Sequence, residues 1–330
     1  MDLEACIREI GRGANGARGL ERAAAQQLYG AMLDGEVPDL ELGAIVIALR
    51  VKTETVDEMA GFLAATNERL SVLVPPPGEI RPVVIPTYNG ARRSANLTPL
   101  LALLLQRFGV PVLVHGLNDD GHTYGRVTSE QIFQAFGLPS SASLQQAQTA
   151  VDENGLAYLP LSVLSPGLER QLALRRRLGL RNSAHSIVKM LDPFAGQGLL
   201  LTAATHPDYI ISMRAVLSCF GAHALLLRGT EGEPFANPKR QPLIEYLHDG
   251  LNEPLVAAEH DSLSKLPALP ENGGAEATVS WMRGVLAGDI PLPPPIASQV
   301  ACCLYASYRS EDFDQAMRLL TSGRHGLRVS

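Results

Sequence analysis

A chain of 330 residues with 46% apolar and 19% charged side chains can bury one large core or two moderate ones, which excludes wholesale disorder. Its formal charge of −6 excludes the uniform basic coat of an indiscriminate polyanion binder. No apolar run is long enough to span a bilayer and MDLEACIREIGRG lacks a secretory core, so a cytoplasmic protein without a membrane partner is expected.

Residues 1–72 read as a small all-helical domain. LERAAAQQLYGAML has helical spacing and stops at Asp34-Gly35, and VPDLELGAIVIALRVK places Pro38 and Asp39 in a first turn. TVDEMAGFLAATNERL opens with Asp57 and Glu58, charges that suit the positive end of a helix dipole. After the proline-rich connector VPPPGEI, residues 73–330 change rhythm. The apolar runs RPVVIP, VPVLVHG, LAYLPL, GLLLTAA and HALLLRG read as strands. Between them lie the helices LTPLLALLLQRFG, SEQIFQAFG, the segment 166–179 and YIISMRAVLSCFG.

This alternation predicts an α/β domain with a mostly parallel central sheet covered on both faces. Ligands of such sheets bind where loops leave the carboxyl ends of strands, here IPTYNGARR, VHGLNDDGHTYG and LRGTEGEPFANP. Residues 230–275 read as polar and loop-rich, and two helices follow, in GDIPLPPPIASQVACCLYASY and DFDQAMRLLTSG. The basic tail RHGLRVS is expected to be mobile. Cys6, Cys219, Cys302 and Cys303 form no CxxC, and no histidine pair has zinc spacing, so reduced thiols and no structural metal are expected.

The charge is segregated. Acids gather in 34–58 and 245–276, whereas Arg92, Arg93, Arg170, Arg175, Arg176, Arg177 and Arg181 gather elsewhere, which leaves room for a basic groove on an acidic body.

The run DGEVPDLELGAIVIALRVKTETVDEMAGF resembles the anthranilate phosphoribosyltransferase family, and the resemblance continues to WMRGVLAGDI and ACCLYASY. It implies a helical dimerisation domain, with helix 166–180 packing on it, and an α/β domain of the class II nucleoside-phosphorylase-like fold that carries the ligand cleft. The family's activity needs a magnesium-bound phosphoribosyl pyrophosphate and an aromatic acceptor. Its Gly-Thr-Gly-Gly-Asp cradle falls in register on Pro86, Thr87, Tyr88, Asn89 and Gly90. Glycines let backbone N–H groups close on pyrophosphate; proline removes a donor and tyrosine fills the space.

Asn96 and Thr98 keep the family's asparagine and hydroxyl beyond the cradle. The Lys-His-Gly-Asn-Arg motif reads Val114, His115, Gly116, Leu117, Asn118, so the lysine is gone. The metal-binding Asp-Glu falls on Pro234 and Phe235, with Glu231 and Glu233 as the weak candidate substitutes. The acceptor pocket's Gly-Pro falls on Ile187 and Val188, and the arginine ahead of Leu-Gly is kept as Arg175. No cofactor is expected, and magnesium only if transfer persists.

TYNGARR, RRRLGLRNSAH and RGTEGEP resemble a divergent branch of the family, which implies a dimeric, catalytically degenerate binder of DNA or RNA. The residues that suit this are Arg92, Arg93 and Asn89 after the first strand, Arg126, Lys189, and Arg175 directed into the cleft. Arg170, Arg177 and Arg181, at spacings of 7 and 4, are placed on one helix face, with Arg214, Lys239 and Arg240 as further candidates. Tyr88 and Tyr124 are candidates for base stacking, although Tyr88 equally suits a plug for the vacated pocket. His115 reads equally as a ligand contact or a structural residue, and an Arg-Arg-Arg run by itself is more often a solvated face. Two other classes stay open: a phosphoribosyl- or other glycosyltransferase of altered substrate, and a regulatory relative that binds a small phosphorylated metabolite or a protein.

Overall fold

The computed structural model describes residues 2–13, 16–118, 125–265, 267–322 and 327–329. Four helices open the chain: Leu3–Ile10 (α1), Arg22–Asp34 (α2), Asp39–Lys52 (α3) and Val56–Asn67 (α4). Helix α2 stops on Gly35 at φ 79°, a left-handed turn that costs glycine nothing. Helix α4 starts from a reciprocal cap between Thr55 and Glu58. The Glu58 carboxylate is fully buried, yet it also accepts the Leu20 N–H at 3.0 Å and pairs with Lys52 at 2.6 Å. Stacked Tyr29 and Phe62 rings, 4.6 Å apart, join α2 to α4.

The rest of the described chain builds one sheet and its covering helices. In order these are β1 (Val83–Thr87), α5 (Thr98–Arg107), β2 (Val112–Gly116), α6 (Ser129–Phe136), α7 (Leu144–Asn154) and β3 (Leu156–Pro160). There follow α8 (Leu161–Leu164), α9 (Pro166–Leu178), α10 (Ala184–Ile187), β4 (Leu199–Ala204), α11 (Pro207–Cys219) and β5 (Ala224–Arg228). The chain closes with β6 (Ile244–His248), β7 (Leu251–Val256), α12 (Ala275–Ala287), α13 (Pro294–Ala306) and α14 (Phe313–Thr321). The sheet order is β3-β2-β1-β4-β5-β6-β7, with β1 to β5 parallel and β6 and β7 antiparallel. The expected fold, a small helical domain plus a mostly parallel α/β domain, is what forms.

Strand alternation sends Val83, Ile85, Val112, Val114, Leu199 and Leu201 into one core, with α5, α6, α12, α13 and α14. Val84, Leu113, Leu200 and Leu226 enter the other, shared with α2, α3, α4, α7, α9 and α11. Helix α9 ties the helical domain to the sheet domain: Arg170 and Gln171 donate to the last carbonyls of α2, Leu33 O at 2.7 Å and Met32 O at 2.8 Å. Pro86 is tolerated inside a central strand for a local reason. The Val83 N–H bonds toward β2, so by alternation position 86 faces β4, and β4 pairing ends at Val84↔Leu200.

Two local expectations are corrected, and one helix appears where none was foreseen. The polar stretch 230–275 contains the β6–β7 hairpin, closed by Asp249 (φ 48°) and Gly250 (φ 75°), a two-residue Asp-Gly turn whose twist suits antiparallel strands. Helix α7 forms between the Ser143 cap and left-handed Gly155. Of the tail, the described residues 327–329 are held: Leu327 is buried and Leu292 N–H donates to Arg328 O at 2.7 Å. Among the described residues no helix is long and apolar enough to cross a membrane.

Candidate functional site

Chain order reverses between β1 and β4, and at such a switch point the loops leaving neighbouring strands diverge and open a crevice. The loop after β1 meets the loop after β5 there. Glu233, fully buried, accepts the N–H groups of Asn89 and Gly90 on Oε1, each at 2.8 Å. Its Oε2 accepts the hydroxyls of Thr87 and, at 3.4 Å, Thr98. Glu231 accepts the N–H of Arg92 (3.0 Å), of Arg93 (2.8 Å) and of Ser94 (2.9 Å), and the Ser94 hydroxyl (3.0 Å). Burial alone would raise the Glu231 carboxyl; these hydrogen bonds more than offset it and hold it below the ordinary range. Ala91 N–H donates to Val127 O at 3.0 Å, so every backbone N–H from Asn89 to Ser94 has an acceptor inside the chain.

The loop expected in register with a glycine-rich phosphate cradle thus has its N–H groups occupied by the chain's own carboxylates. Pyrophosphate would need those N–H groups, and two fixed negative charges stand where its charge would lie. Nor do Glu231 and Glu233 suit the role of magnesium ligands, since their oxygens face N–H and O–H donors. Phe235, in register with the metal pair, is fully buried, as are Val114, Ile187 and Val188. The residues present therefore do not fit a bound magnesium, and the described residues bring together no group of three or more His, Cys, Asp or Glu side chains able to hold a metal ion.

Beside the filled cradle lies a cleft of about 320 Å³, walled in part by Tyr88, Asn118, Arg126, Arg170, Arg175 and His185. Tyr88 and His185 also wall a smaller recess of about 140 Å³ that contains Lys189 and Arg181. Their rings meet edge to face at 5.7 Å, and Lys189 Nζ lies 5.6 Å from the Tyr88 ring centroid. Tyr88 is thus a partition between two cavities with its ring already engaged, a plug more than a stacking platform. Tyr124 lies outside the described residues.

Arg126, in the cleft wall, feels the charges of Arg181, Arg92 and Arg175. Burial pushes the Arg126 pKa down, and the positive charges of Arg181, Arg92 and Arg175 push the same way, against the opposing pull of Glu231. Arg126 donates to Gly90 O at 3.0 Å and stands 3.6 Å from Glu231, and Arg181 donates to Asn89 Oδ1 at 2.8 Å. The side chains of Arg92 and Arg93 are exposed.

The other sequence candidates lie elsewhere or serve the scaffold. Arg170, Arg177 and Arg181 do not share a face: α9 ends at Leu178, Arg177 pairs outward with Asp39 at 3.0 Å, and Arg181 lies beyond Gly179. Lys189 is buried and donates to Ala203 O at 2.7 Å, with its pKa lowered to about 8, chiefly by burial. Asn96 and Thr98 are fully buried, and Asn96 binds Ser129 Oγ and the Thr98 N–H. Arg214 pairs with Glu245 at 2.6 Å, whereas Lys239 and Arg240 are exposed in the loop after β5. Sequence reasoning missed Glu169 and His185 in the cleft wall, and it missed the carboxylate-to-loop bonds.

His115 is fully buried, and neither ring nitrogen has a partner among the described residues. Burial lowers its pKa from 6.5 to about 3. His185 also falls to about 3, through burial first and then Arg181 and Arg175. Both are neutral when folded and take up protons more readily when unfolded. Stability is therefore full above pH 6.5 and is lost as the pH falls toward about 3. Each histidine is expected to cost about 1.4 kcal/mol per pH unit below about pH 6. Urea melts of His185→Gln across that range should show a shallower acid limb than the parent, and an unchanged limb would contradict this account.

Residues 5–69 match the "Glycosyl transferase family, helical bundle domain". The uncharacterized protein YbiB of Escherichia coli (strain K12) is 45% identical over 309 residues, 93% of this chain and 95% of that one. The chain belongs to the YbiB family. Further relatives place that family beside the anthranilate phosphoribosyltransferases: the Rhodopseudomonas palustris (strain BisA53) protein of that name is 25% identical over 94% of this chain and 91% of its own. The crystal structure of anthranilate phosphoribosyltransferase from Thermus thermophilus superposes with a TM-score of 0.76 at 22% identity, over 97% of this chain and 93% of that one. The Saccharomyces cerevisiae enzyme in complex with PRPP and Mg gives 0.74 at 13%, over 96% and 92%. At these identities the likeness to the solved enzymes carries the fold alone. This YbiB-family chain keeps that fold around a cleft whose cradle is filled from within.

Proposed function

We propose that the chain binds nucleic acid, DNA or RNA, without reading bases, along the arginine-rimmed cleft, and that it carries out no phosphoribosyl transfer. One observation carries the reading: Arg126, Arg170 and Arg175 line one cleft and Arg126 feels the charges of Arg92 and Arg181, while Glu231 and Glu233 hold the N–H groups a pyrophosphate would need. Guanidinium groups spaced along a groove suit the phosphodiesters of a strand, which ask for cations in series and no metal. A homodimer through the N-terminal helices fits the same reading. Leu40 and Val51 of α3 are 82% and 70% exposed and line, with Gly43, Ala44 and Ile47, an apolar groove suited to a second copy. Four free thiols suit the cytoplasm.

The test is fluorescence anisotropy with single- and double-stranded oligonucleotides. For four phosphate contacts, affinity should fall about a hundredfold between about 50 and about 200 mM salt. Charge reversal at Arg92 and Arg93 together should weaken binding at least about tenfold and flatten the salt slope. Undiminished binding by that variant would remove the groove from this loop. Magnesium-dependent release of pyrophosphate from phosphoribosyl pyrophosphate would overturn the non-catalytic half of the reading.

A further inference from the structure

The two carboxylates that fill the cradle are not equivalent. Glu233 is fully buried beneath the loop, between the strand end and α5. The side chain of Glu231 is 16% exposed, beside Arg126 of the cleft wall. Glu231 and Gly232 form the tip of a tight turn, with φ 54° and 96°. The base of that turn is closed independently of either side chain, by Thr230 N–H to Glu233 O at 3.1 Å and Glu233 N–H to Thr230 O at 3.0 Å. Rotating the Glu231 side chain outward thus frees three N–H groups and a hydroxyl without opening the turn.

We propose that Glu231 is an internal stand-in for a phosphate group and is the residue that sets the cleft's affinity for phosphate ligands. Its carboxylate satisfies three convergent N–H donors and one O–H donor, an arrangement that a phosphate oxyanion satisfies equally well. Exchange of one anion for the other leaves no donor unpaired, and Arg126, 3.6 Å from the departing carboxylate, meets the arriving charge. Apparent affinity is then the intrinsic affinity multiplied by the fraction of molecules in which Glu231 has left. The identification of the incoming phosphate as that of a strand rests on the nucleic-acid reading; the exchange itself does not.

The experiment compares the full chain with Glu231→Gln and Glu231→Ala by calorimetry with inorganic phosphate and by anisotropy with 5′-hydroxyl and 5′-phosphorylated oligothymidylate. Gln keeps the size and one acceptor oxygen, so it reports even where Ala disturbs the loop. Glu169→Gln is the control, because it removes the same charge from the cleft wall and no acceptor of these N–H groups. Phosphate affinity should rise at least about tenfold in the Glu231 variants and clearly less in Glu169→Gln. A gain confined to the 5′-phosphorylated strand would identify a terminal phosphate as the incoming group, and an equal gain with both strands an internal one. Unchanged phosphate affinity in both Glu231 variants, or an equal gain in Glu169→Gln, overturns the exchange. If no protein binds oligonucleotide while the Glu231 variants gain phosphate, the exchange stands and the nucleic-acid reading falls. If the parent binds strands and no Glu231 variant gains phosphate, the reverse holds.

Discussion

Glu233→Ala is expected to cost about 3–5 kcal/mol of stability, while Glu233→Gln costs less than about 1.5 kcal/mol. The contrast follows from which oxygen serves which donor. Oε1 alone takes both N–H groups, of Asn89 and Gly90, and Oε2 takes the hydroxyls of Thr87 and Thr98. Glutamine can leave its carbonyl oxygen on the two N–H groups and turn its amide toward the hydroxyls, which then act as acceptors. Alanine leaves two buried N–H groups without acceptors. Both substitutions remove the negative charge whose field supports the buried, protonated Lys189, so that loss is common to them and the hydrogen bonds make the difference. Chemical denaturation of the three proteins decides the matter. Equal losses for Ala and Gln would mean that the charge matters and the hydrogen bonds do not, the pattern of a metal ligand.

The sheet was legible because five strands are buried on both faces and appear as continuous apolar runs, as in LLLTAA of β4. The hairpin was not, because β7 is a largely exposed edge strand whose residues, LNEPLV, lack an apolar face; its Asp-Gly turn was the available signal. Helix α7 escaped for a like reason, since it buries only Ala147 and Val151. At the site, the loops were legible from strand order and the directions of side chains were not. Arg170 and Arg177 carry the right charge, but one caps α2 and the other pairs with α3, partners more than 130 residues away in sequence. Glu231 and Glu233 face the same limit. Nothing local to TEGEP reveals that its carboxylates fold back on a loop some 140 residues earlier, because that contact exists only once β1 and β5 flank β4.

Gly116→Ala is expected to lower stability by at least about 3 kcal/mol, a larger effect than most single core changes. Gly116 ends β2 in register with Thr87 at the end of β1, and a Cβ built there would lie 1.5 Å from Thr87 O and 3.1 Å from the Tyr158 hydroxyl. The nearer atom is backbone, so no rotamer change relieves the clash and the strand ends must part. The Tyr158 hydroxyl is itself held by Leu117 O at 2.8 Å, which closes the other way out. Parting the strands displaces Thr87, whose hydroxyl binds Glu233 and Ser129, and so disturbs the filled cradle from below. Persistence of a His-Gly pair in this chain is therefore explained by sheet packing without any ligand, since His115 is sealed from solvent beside it. Urea unfolding of Gly116→Ala and the parent measures the cost. A parent-like midpoint would show that the strands close on Gly116 less tightly than this geometry requires, and would return the pair to the ligand-binding surface.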